Sequence, residues 1–256
     1  MDFITEKINN CVLGKFHIIF CGQAGFVFVN NAGEKLGYDL YLSDKVESDE
    51  NSIGYKRLLP RIIEPSNLTL DFIVASHFHL DHFDYDSMSE LMNGDKTTLY
   101  CPKDCNSYIE KLGLKKEQIR IISSNSKIKA GDFSLSFVSC DHGTLAPDAV
   151  GAVIECDKKR IYIVGDSCLR LDYANKIKKL GKINILIAPI NGAFGNLTEK
   201  DAVELVSFLK PRAVIPCHFG MFADHGGNPG IFLKLMKEKN PDVEVMLMQY
   251  GEHVVL

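Results

Sequence analysis

The chain has 256 residues, of which 46% are hydrophobic, and its formal net charge is −4 at pH 7. This length and apolar content are enough to bury one large core, so we expect a single domain over residues 1–256. Because the net charge is slightly negative, the chain has no overall positive potential that would attract nucleic acid, and a nucleic-acid partner is therefore not expected.

The sequence also bears on compartment and redox state. The first residues lack the basic and apolar regions of a secretory signal, and no stretch approaches the length of a membrane span. We therefore expect a cytoplasmic protein with no membrane partner. The eight cysteines contain no CxxC pair, and most lie in apolar runs, which favours buried thiols over disulfides. Cys11 is one of the eight cysteines. The histidines His17 and His253 are interpreted as structural residues.

The densest functional signal is the hexapeptide His77-Phe78-His79-Leu80-Asp81-His82, which follows an apolar run typical of a buried strand. His77 and His79 lie two residues apart, so in extended backbone they face the same side and can share one ion. Asp81 and His82 come after the chain begins to turn and can face a second ion. Imidazole with carboxylate suits Zn, Mn or Fe, and the lack of a nearby Cys disfavours a structural Cys-rich zinc site.

Strand-rich stretches alternate with helices along the chain. Apolar runs predict a β-meander from Phe16 to Tyr41, and the polar residues 43–67 predict a long loop of the kind that often forms a lid. Helix N-caps are predicted at Asp104, Thr198 and Asn228. This alternation fits sheets that pack together and are covered by helices.

Four predicted strand ends carry ligand-type residues, and each is followed by turn-like sequence. They carry residues 77–82, His142, Asp166 and His218. The order HxHxDH, His, Asp and His resembles that of the metallo-β-lactamase superfamily, and the resemblance covers nearly the whole chain. It implies an α+β fold, namely the four-layer αββα metallo-β-lactamase sandwich.

The resemblance implies two divalent metal ions held by the imidazoles and carboxylates at these strand ends. The implied ligands are His77, His79 and His142 for one ion, Asp81, His82 and His218 for the other, and Asp166 as a bridge. Asp81, Asp166 and His218 are also the implied catalytic residues. A carboxylate between two cations is physically sensible because it offsets their repulsion.

Within the superfamily, the flanking segments resemble the cytoplasmic ascorbate-6-phosphate lactonase group. The matching segments include Gly22–Phe26, Tyr41–Asp44 and His218–Phe222. This resemblance implies a binuclear metal-dependent hydrolase, a lactonase acting on a small anionic sugar-acid lactone such as L-ascorbate 6-phosphate. It suggests manganese, although zinc or iron fits the same donor set.

Four further residues are candidates for substrate contact. Arg57 in the long loop could meet a phosphate or carboxylate, Asn191 and Gly192 could supply amide donors to a developing oxyanion, and His225 could donate to substrate. Each has a plainer interpretation as an exposed charge, an ordinary turn or a solvated histidine. Asp39, at a strand end, is interpreted either as a residue that orients a ligating imidazole or as a turn carboxylate.

Two other functions are compatible with the same residues. A two-metal site also suits in-line displacement at a phosphodiester. A non-catalytic binding scaffold is the third alternative, although none of the ligand-type residues is missing. A homo-oligomer is also compatible with the sequence.

Overall fold

Two mixed sheets form the centre of the molecule in this computed structural model, which describes residues 2–94 and 96–256. Over these described ranges each sheet has seven strands, the two sheets pack face to face, and helices cover their outer faces. The predicted four-layer αββα sandwich is therefore confirmed.

The first half of the chain supplies most of the first sheet. Its helices are α1 (Phe3–Asn9), α2 (Lys45–Glu50), α3 (Tyr85–Leu91) and α4 (Asn106–Leu112). Its strands are β1 (His17–Gly22), β2 (Gly25–Val29), β3 (Lys35–Tyr38), β4 (Phe72–Val74), β5 (Thr98–Pro102) and β6 (Ile119–Ile122). The first three strands form the predicted antiparallel meander, and β3 to β6 are parallel.

The second half repeats this plan of a meander followed by parallel strands. Its strands are β7 (Lys127–Ala130), β8 (Phe133–Ser139), β9 (Val150–Cys156), β10 (Lys159–Ile163), β11 (Ile185–Pro189), β12 (Ala213–Cys217) and β13 (Glu244–Val245). Its helices are α5 (Leu171–Leu180), α6 (Glu199–Leu209) and α7 (Pro229–Lys239). The last strand, β14 (His253–Val255), returns to the first sheet and pairs with β1 at its edge.

The main core is the apolar layer between the two sheets. Phe133 is fully buried there, with its ring centroid 6.5 Å from that of Phe16 and 6.4 Å from that of Phe72. Outer apolar layers join α1, α3 and α4 to the first sheet and α5, α6 and α7 to the second. Among the described residues, no helix has the length and apolar character needed to cross a bilayer.

Two of the three predicted helix caps are confirmed. Thr198 and Asp201 form a reciprocal capping box at the start of α6, and the Asn228 side chain accepts two main-chain hydrogen bonds at the start of α7. The predicted cap at Asp104 is wrong. A 3-10 turn over Lys103–Cys105 precedes α4, so Asp104 lies inside that turn and not at the helix start.

Residues 43–67 are more ordered than predicted, because they contain α2 and a 3-10 turn at Ile53–Tyr55. The third strand also ends earlier than predicted, at Tyr38 and not at Tyr41. The reason is the left-handed backbone of Asp39, whose φ is 47° and which cannot continue a strand.

Replacing Phe133 by alanine tests the core between the sheets. We expect Phe133→Ala to lower the free energy of unfolding by about 3–5 kcal/mol, because it leaves a cavity among buried rings. Guanidinium denaturation measures this quantity. The matched control is Phe3→Ala, because the Phe3 side chain is 73% exposed, and we expect a loss below about 1 kcal/mol. Equal losses in the two variants would contradict the assigned core.

Candidate metal centre

The carboxyl ends of β4, β8, β10 and β12 meet at one edge of the sandwich. The ligand-type residues follow these strands closely: residues 77–82, His142, Asp166 and His218. Strand ends at one sheet edge are where α/β proteins gather functional side chains, because the turns there are free of pairing. The fold therefore brings together residues that are far apart in sequence.

Three groups of ligand atoms lie at this edge, and within each group all the atoms are within 4.8 Å of one another. The groups are His77, His79 and His142; Asp81, His82 and His218; and His77, His82 and Asp166. The first two groups are the same sets that the superfamily resemblance implies. Asp166 lies between them, with Oδ1 3.4 Å from Nε2 of His82 and Oδ2 3.4 Å from Nε2 of His218 and 3.8 Å from Nε2 of His142.

The titratable groups of the site are strongly shifted by one another. Burial lowers the pKa of His82 and that of His218, but Asp166 and Asp81 outweigh it, so the pKa of His82 is raised well above its usual value and that of His218 to about 9. Burial, reinforced by His82, lowers the pKa of His77 well below its usual value, so its ring nitrogen is free to bind. Although burial opposes ionisation, His82 and His218 hold the pKa of Asp81 and that of Asp166 well below their usual range. Neutral imidazoles and ionised carboxylates are the forms that ligate metals. In the metal-free protein the protonated imidazoles of His82 and His218 balance the buried carboxylates, and a divalent cation would displace these protons and take over the balance.

Asp39 supports the hexapeptide from outside the ligand groups. Its Oδ2 lies 2.9 Å from Nδ1 of His82 and accepts from the Ser76 hydroxyl at 2.7 Å, while its Oδ1 accepts from the Ser76 N–H at 2.7 Å. The predicted contact between Asp39 and an imidazole of the hexapeptide is therefore present. A carboxylate on Nδ1 leaves Nε2 of His82 for an ion and fixes the orientation of the ring.

Two side-chain amides also hold the carboxylates in place. Gln23 Nε2 donates to Oδ2 of Asp81 at 2.8 Å and to Nδ1 of His225 at 2.8 Å, and Asn196 Nδ2 donates to Oδ2 of Asp166 at 2.8 Å. The sequence reasoning missed both roles. One signal in the sequence could have indicated them. Gln23 lies in a glycine-containing turn after β1 and Asn196 in one after β11, and the candidate ligands also follow strands.

His218 is held in an uncommon backbone conformation, with a φ of 62°. The left-handed region costs a non-glycine residue roughly 1–2 kcal/mol. The conformation is stabilised here because the N–H of His218 donates to the carbonyl of Gln23 at 2.7 Å. It ends β12 and places Nε2 of His218 3.3 Å from Oδ2 of Asp81.

A cavity of about 300 Å³ lies over the ligand groups. Five candidate ligands line it, namely His79, Asp81, His142, Asp166 and His218. The rest of its wall is largely apolar and aromatic, with residues including Val46, Tyr55, Phe78, Leu80, Tyr108, Leu145 and Phe194. Asp49 and Glu50 of α2 are also on the wall, and none of the described lining residues is Lys or Arg.

Three of the four predicted substrate contacts do not line this cavity. Arg57 donates to the carbonyls of Ser43 at 2.6 Å and Leu59 at 3.2 Å, so its guanidinium fastens residues 43–67 and does not meet a ligand. The N–H of Gly192 already donates to a main-chain carbonyl, that of Leu197, at 3.0 Å. Asn191 forms a β-bridge beside it. The side-chain amide of Asn191 is buried and makes no hydrogen bond to the described residues. Substrate contact by these three residues stays a prediction, and none of them lines this cavity.

His225 is the predicted substrate contact that does line the cavity. Its ring stacks on that of His218, with centroids 5.1 Å apart and planes 8° apart, and burial lowers the pKa of His225 to about 4. The imidazole is therefore neutral at pH 7. Because Gln23 donates to Nδ1, the ring proton belongs on Nε2, which makes that nitrogen a hydrogen-bond donor.

The β-lactamase superfamily domain matches this chain over residues 52–219, more than half of its length. With its αββα fold and its His/Asp donor groups, the chain belongs to the metallo-β-lactamase superfamily and is a metal-dependent hydrolase of that superfamily.

Individual relatives agree with this assignment. A metal-dependent hydrolase from Anaeromyxobacter dehalogenans is 28% identical over 255 residues, which cover 94% of this chain and 87% of the relative. A metallo hydrolase from the hyperthermophilic archaeon Ignicoccus hospitalis has a TM-score of 0.74 at 20% identity, covering 94% of this chain and 98% of that one. An isothiocyanate hydrolase from Delia radicum gut bacteria has a TM-score of 0.76 at 17% identity, covering 93% and 98%. The two solved structures show a shared fold.

The role of Asp39 can be tested by metal affinity. We expect Asp39→Asn to weaken binding of Zn²⁺ or Mn²⁺ about 10–100-fold. The reason is that the new side-chain N–H would face one of the hydrogen-bond donors from which the Asp39 carboxylate now accepts. Competition with a chromophoric chelator measures this affinity. Asp71→Asn is the matched control, since the Asp71 carboxylate accepts one main-chain N–H, that of Lys35 at 2.8 Å, among the hydrogen bonds of the described residues. Wild-type affinity in Asp39→Asn would refute the role.

Proposed function

We propose that this protein is a binuclear metal-dependent hydrolase that cleaves a small carboxylic ester or lactone. The observation that carries the proposal is the pair of donor groups, with Asp166 between them, on the wall of a cavity of about 300 Å³. His77, His79 and His142 would hold one ion, Asp81, His82 and His218 the other, and Asp166 both. When bound, such ions supply Lewis acidity that activates water and polarises a carbonyl.

The chain's own residues supply positioning and hydrogen bonding. Asn196 and Gln23 hold the carboxylates of Asp166 and Asp81, so these oxygens are fixed before substrate binds. His225 presents a neutral N–H donor beside His218 on the cavity wall. A donor there can stabilise the charge that develops on an oxygen of the substrate as the acyl bond breaks.

The cavity wall favours an uncharged substrate over L-ascorbate 6-phosphate. Anion-binding sites usually present Arg or Lys to a phosphate or carboxylate. Here the wall carries Asp49 and Glu50, and the described lining residues include no cationic Lys or Arg. We therefore place an uncharged lactone or ester first and the sugar-acid phosphate second. The aromatic residues Tyr55 and Phe194, whose ring centroids are 6.5 Å apart, suit a flat or apolar substituent.

The other candidate functions gain less support. A phosphodiester could bind the proposed ions, but Asp49 and Glu50 on the wall would repel its charge, and no described lining Lys or Arg would offset them. A binding scaffold would not need the supporting contacts of Asp39, Gln23 and Asn196. Hydrolysis of an isothiocyanate is a second candidate, because a compact, uncharged and often aryl-bearing electrophile suits these walls. Manganese and zinc are the metals we propose, and iron fits the same donors.

A substrate panel tests the reaction class. Protein loaded with Mn²⁺ or Zn²⁺ is assayed for proton release on an uncharged γ-lactone, an aryl ester, L-ascorbate 6-phosphate and an aryl phosphodiester, and for arylamine formation on an aryl isothiocyanate. We expect the lactone or ester to have the highest kcat/KM. In Asp166→Ala that activity should fall about a thousandfold, because several kcal/mol of charge stabilisation are lost.

The panel separates the alternatives. A higher kcat/KM for L-ascorbate 6-phosphate would support a lactonase reaction and contradict the proposed preference for an uncharged substrate. Preference for the diester or the isothiocyanate would reject the acyl substrate. No turnover of any compound by protein that retains two ions per chain would favour the scaffold.

The donor role of His225 makes a separate prediction. We expect His225→Ala to lower kcat about 100-fold, since one hydrogen bond to developing charge is lost, with KM and bound metal near wild-type values. His225→Gln keeps an N–H donor and should recover part of kcat. Steady-state kinetics and metal analysis of the purified variants provide the readouts. A loss of metal in both variants, or an unchanged kcat, would rule out this role.

A further inference from the structure

A second cluster of potential metal ligands lies at the opposite end of β1 from the edge where the carboxyl ends of β4, β8, β10 and β12 meet. It consists of Cys11, His17 and His253, whose ligand atoms all lie within 4.8 Å of one another. His17 begins β1, whereas Gln23 follows its last residue. At about 3.3 Å per residue, roughly 20 Å of strand separates them. This cluster is therefore not part of the catalytic groups.

The pairing of β1 with the edge strand β14 brings the two histidines together. His17 is opposite Val255 and Ile19 is opposite His253, so the histidines are diagonal neighbours on one face of the sheet. Nδ1 of His17 lies 2.7 Å from Nε2 of His253. Cys11, in the segment that joins α1 to β1, brings its thiol to the same place.

The hydrogen bond on the far side of His17 prepares its ring for a metal. Nε2 of His17 lies 2.8 Å from the carbonyl oxygen of Val12. A carbonyl only accepts, so Nε2 of His17 donates to it, and Nδ1 of His17 accepts from Nε2 of His253 while no ion is bound. An ion between these two nitrogens would displace the proton that they share. Ligating histidines typically donate their other ring N–H to a carbonyl or carboxylate in this way. His17 itself is almost fully buried, with 1% exposure.

We propose that Cys11, His17 and His253 form a second metal site, which binds a zinc-type divalent ion through one thiolate and two imidazoles. This donor set selects Zn²⁺ over Mg²⁺, Ca²⁺ or Mn²⁺, because thiolate and imidazole are softer ligands than oxygen. Tetrahedral binding requires the two ring nitrogens to separate from 2.7 Å to about 3.3 Å, and His253 is on the edge strand β14, where its side chain can make this movement. Water or a small anion completes the fourth position.

The site has a structural consequence. An ion there ties the segment after α1 to β14, a strand of three residues whose sheet partner is β1. Burial raises the pKa of the Cys11 thiol, while Lys35 and Lys7 act in the opposite direction. The metal-free thiol is therefore protonated at neutral pH, and metal binding releases that proton.

Cobalt spectroscopy tests the proposal on the intact protein. The three catalytic groups contain only His and Asp, so thiolate-to-cobalt charge transfer in the near ultraviolet would report on a cysteine site. We expect Co²⁺ to produce this band, Zn²⁺ to remove it, and Cys11→Ala and His253→Ala each to abolish it. Cys168→Ala is the matched control, since Cys168 is also a partly buried free cysteine, and it should keep the band. Absence of the band, or its survival in Cys11→Ala, overturns the proposal.

A measurement on wild-type protein removes any dependence on how the variants fold. The alkylation rate of Cys11 is followed by peptide mass spectrometry with and without Zn²⁺. At a free Zn²⁺ concentration ten times the dissociation constant, the rate should fall about tenfold, because the bound fraction is protected. Cys168 should react at the same rate in both conditions. An unchanged rate at Cys11 across a Zn²⁺ titration also overturns the proposal. Both tests are independent of the proposed hydrolase activity.

Discussion

The buried carboxylate of Asp166 joins the two sheets at the edge of the sandwich that carries the donor groups. It follows β10 of the second sheet and lies 3.4 Å from His82, which follows β4 of the first. A buried carboxylate is costly unless cations and hydrogen bonds surround it. Here His82 and His218 contact it, and Asn196 donates to it. The same negative charge that demands these partners attracts divalent ions, so one constraint serves both the packing of the edge and its chemistry.

The cavity wall is built separately from the donor groups. Residues 43–67 supply Val46, Asp49, Glu50 and Tyr55 to the wall and are anchored at a distance from the donors. Arg57 binds two carbonyls of this segment, and the buried Asp84 accepts from the main-chain N–H groups of Leu42 and Ser43 at 2.7 and 2.8 Å. Substitutions in this anchored loop can therefore change the residues that line the cavity while the donor groups keep their positions. Because the donor groups and the cavity wall come from different segments, the fold and the donors define the class of reaction. The residues of the loop then determine which substrate fits.

The two ends of β1 contact different groups of side chains. At its carboxyl end, Gln23 supports a carboxylate and an imidazole of the catalytic edge. At its amino end, His17 meets His253 of β14, an edge strand that pairs with β1 on one side and with no described strand on the other. Edge strands need protection from fraying and from pairing with other chains. The proposed zinc site would stabilise this strand without touching the catalytic groups.

The sequence by itself determined the strand ends, their donor residues and the fold class. The density of ligands in residues 77–82 and the order of His142, Asp166 and His218 are local or sequential features, so they survive without coordinates. The tertiary structure decided which side chains support them. Gln23 reaches Asp81 across 58 residues, Asn196 reaches Asp166 across 30, and His17 meets His253 across 236. It also places Arg57, Asn191 and Gly192 outside the cavity lining. Such partners depend on strand register and loop packing, which bring distant residues together and which no local pattern encodes.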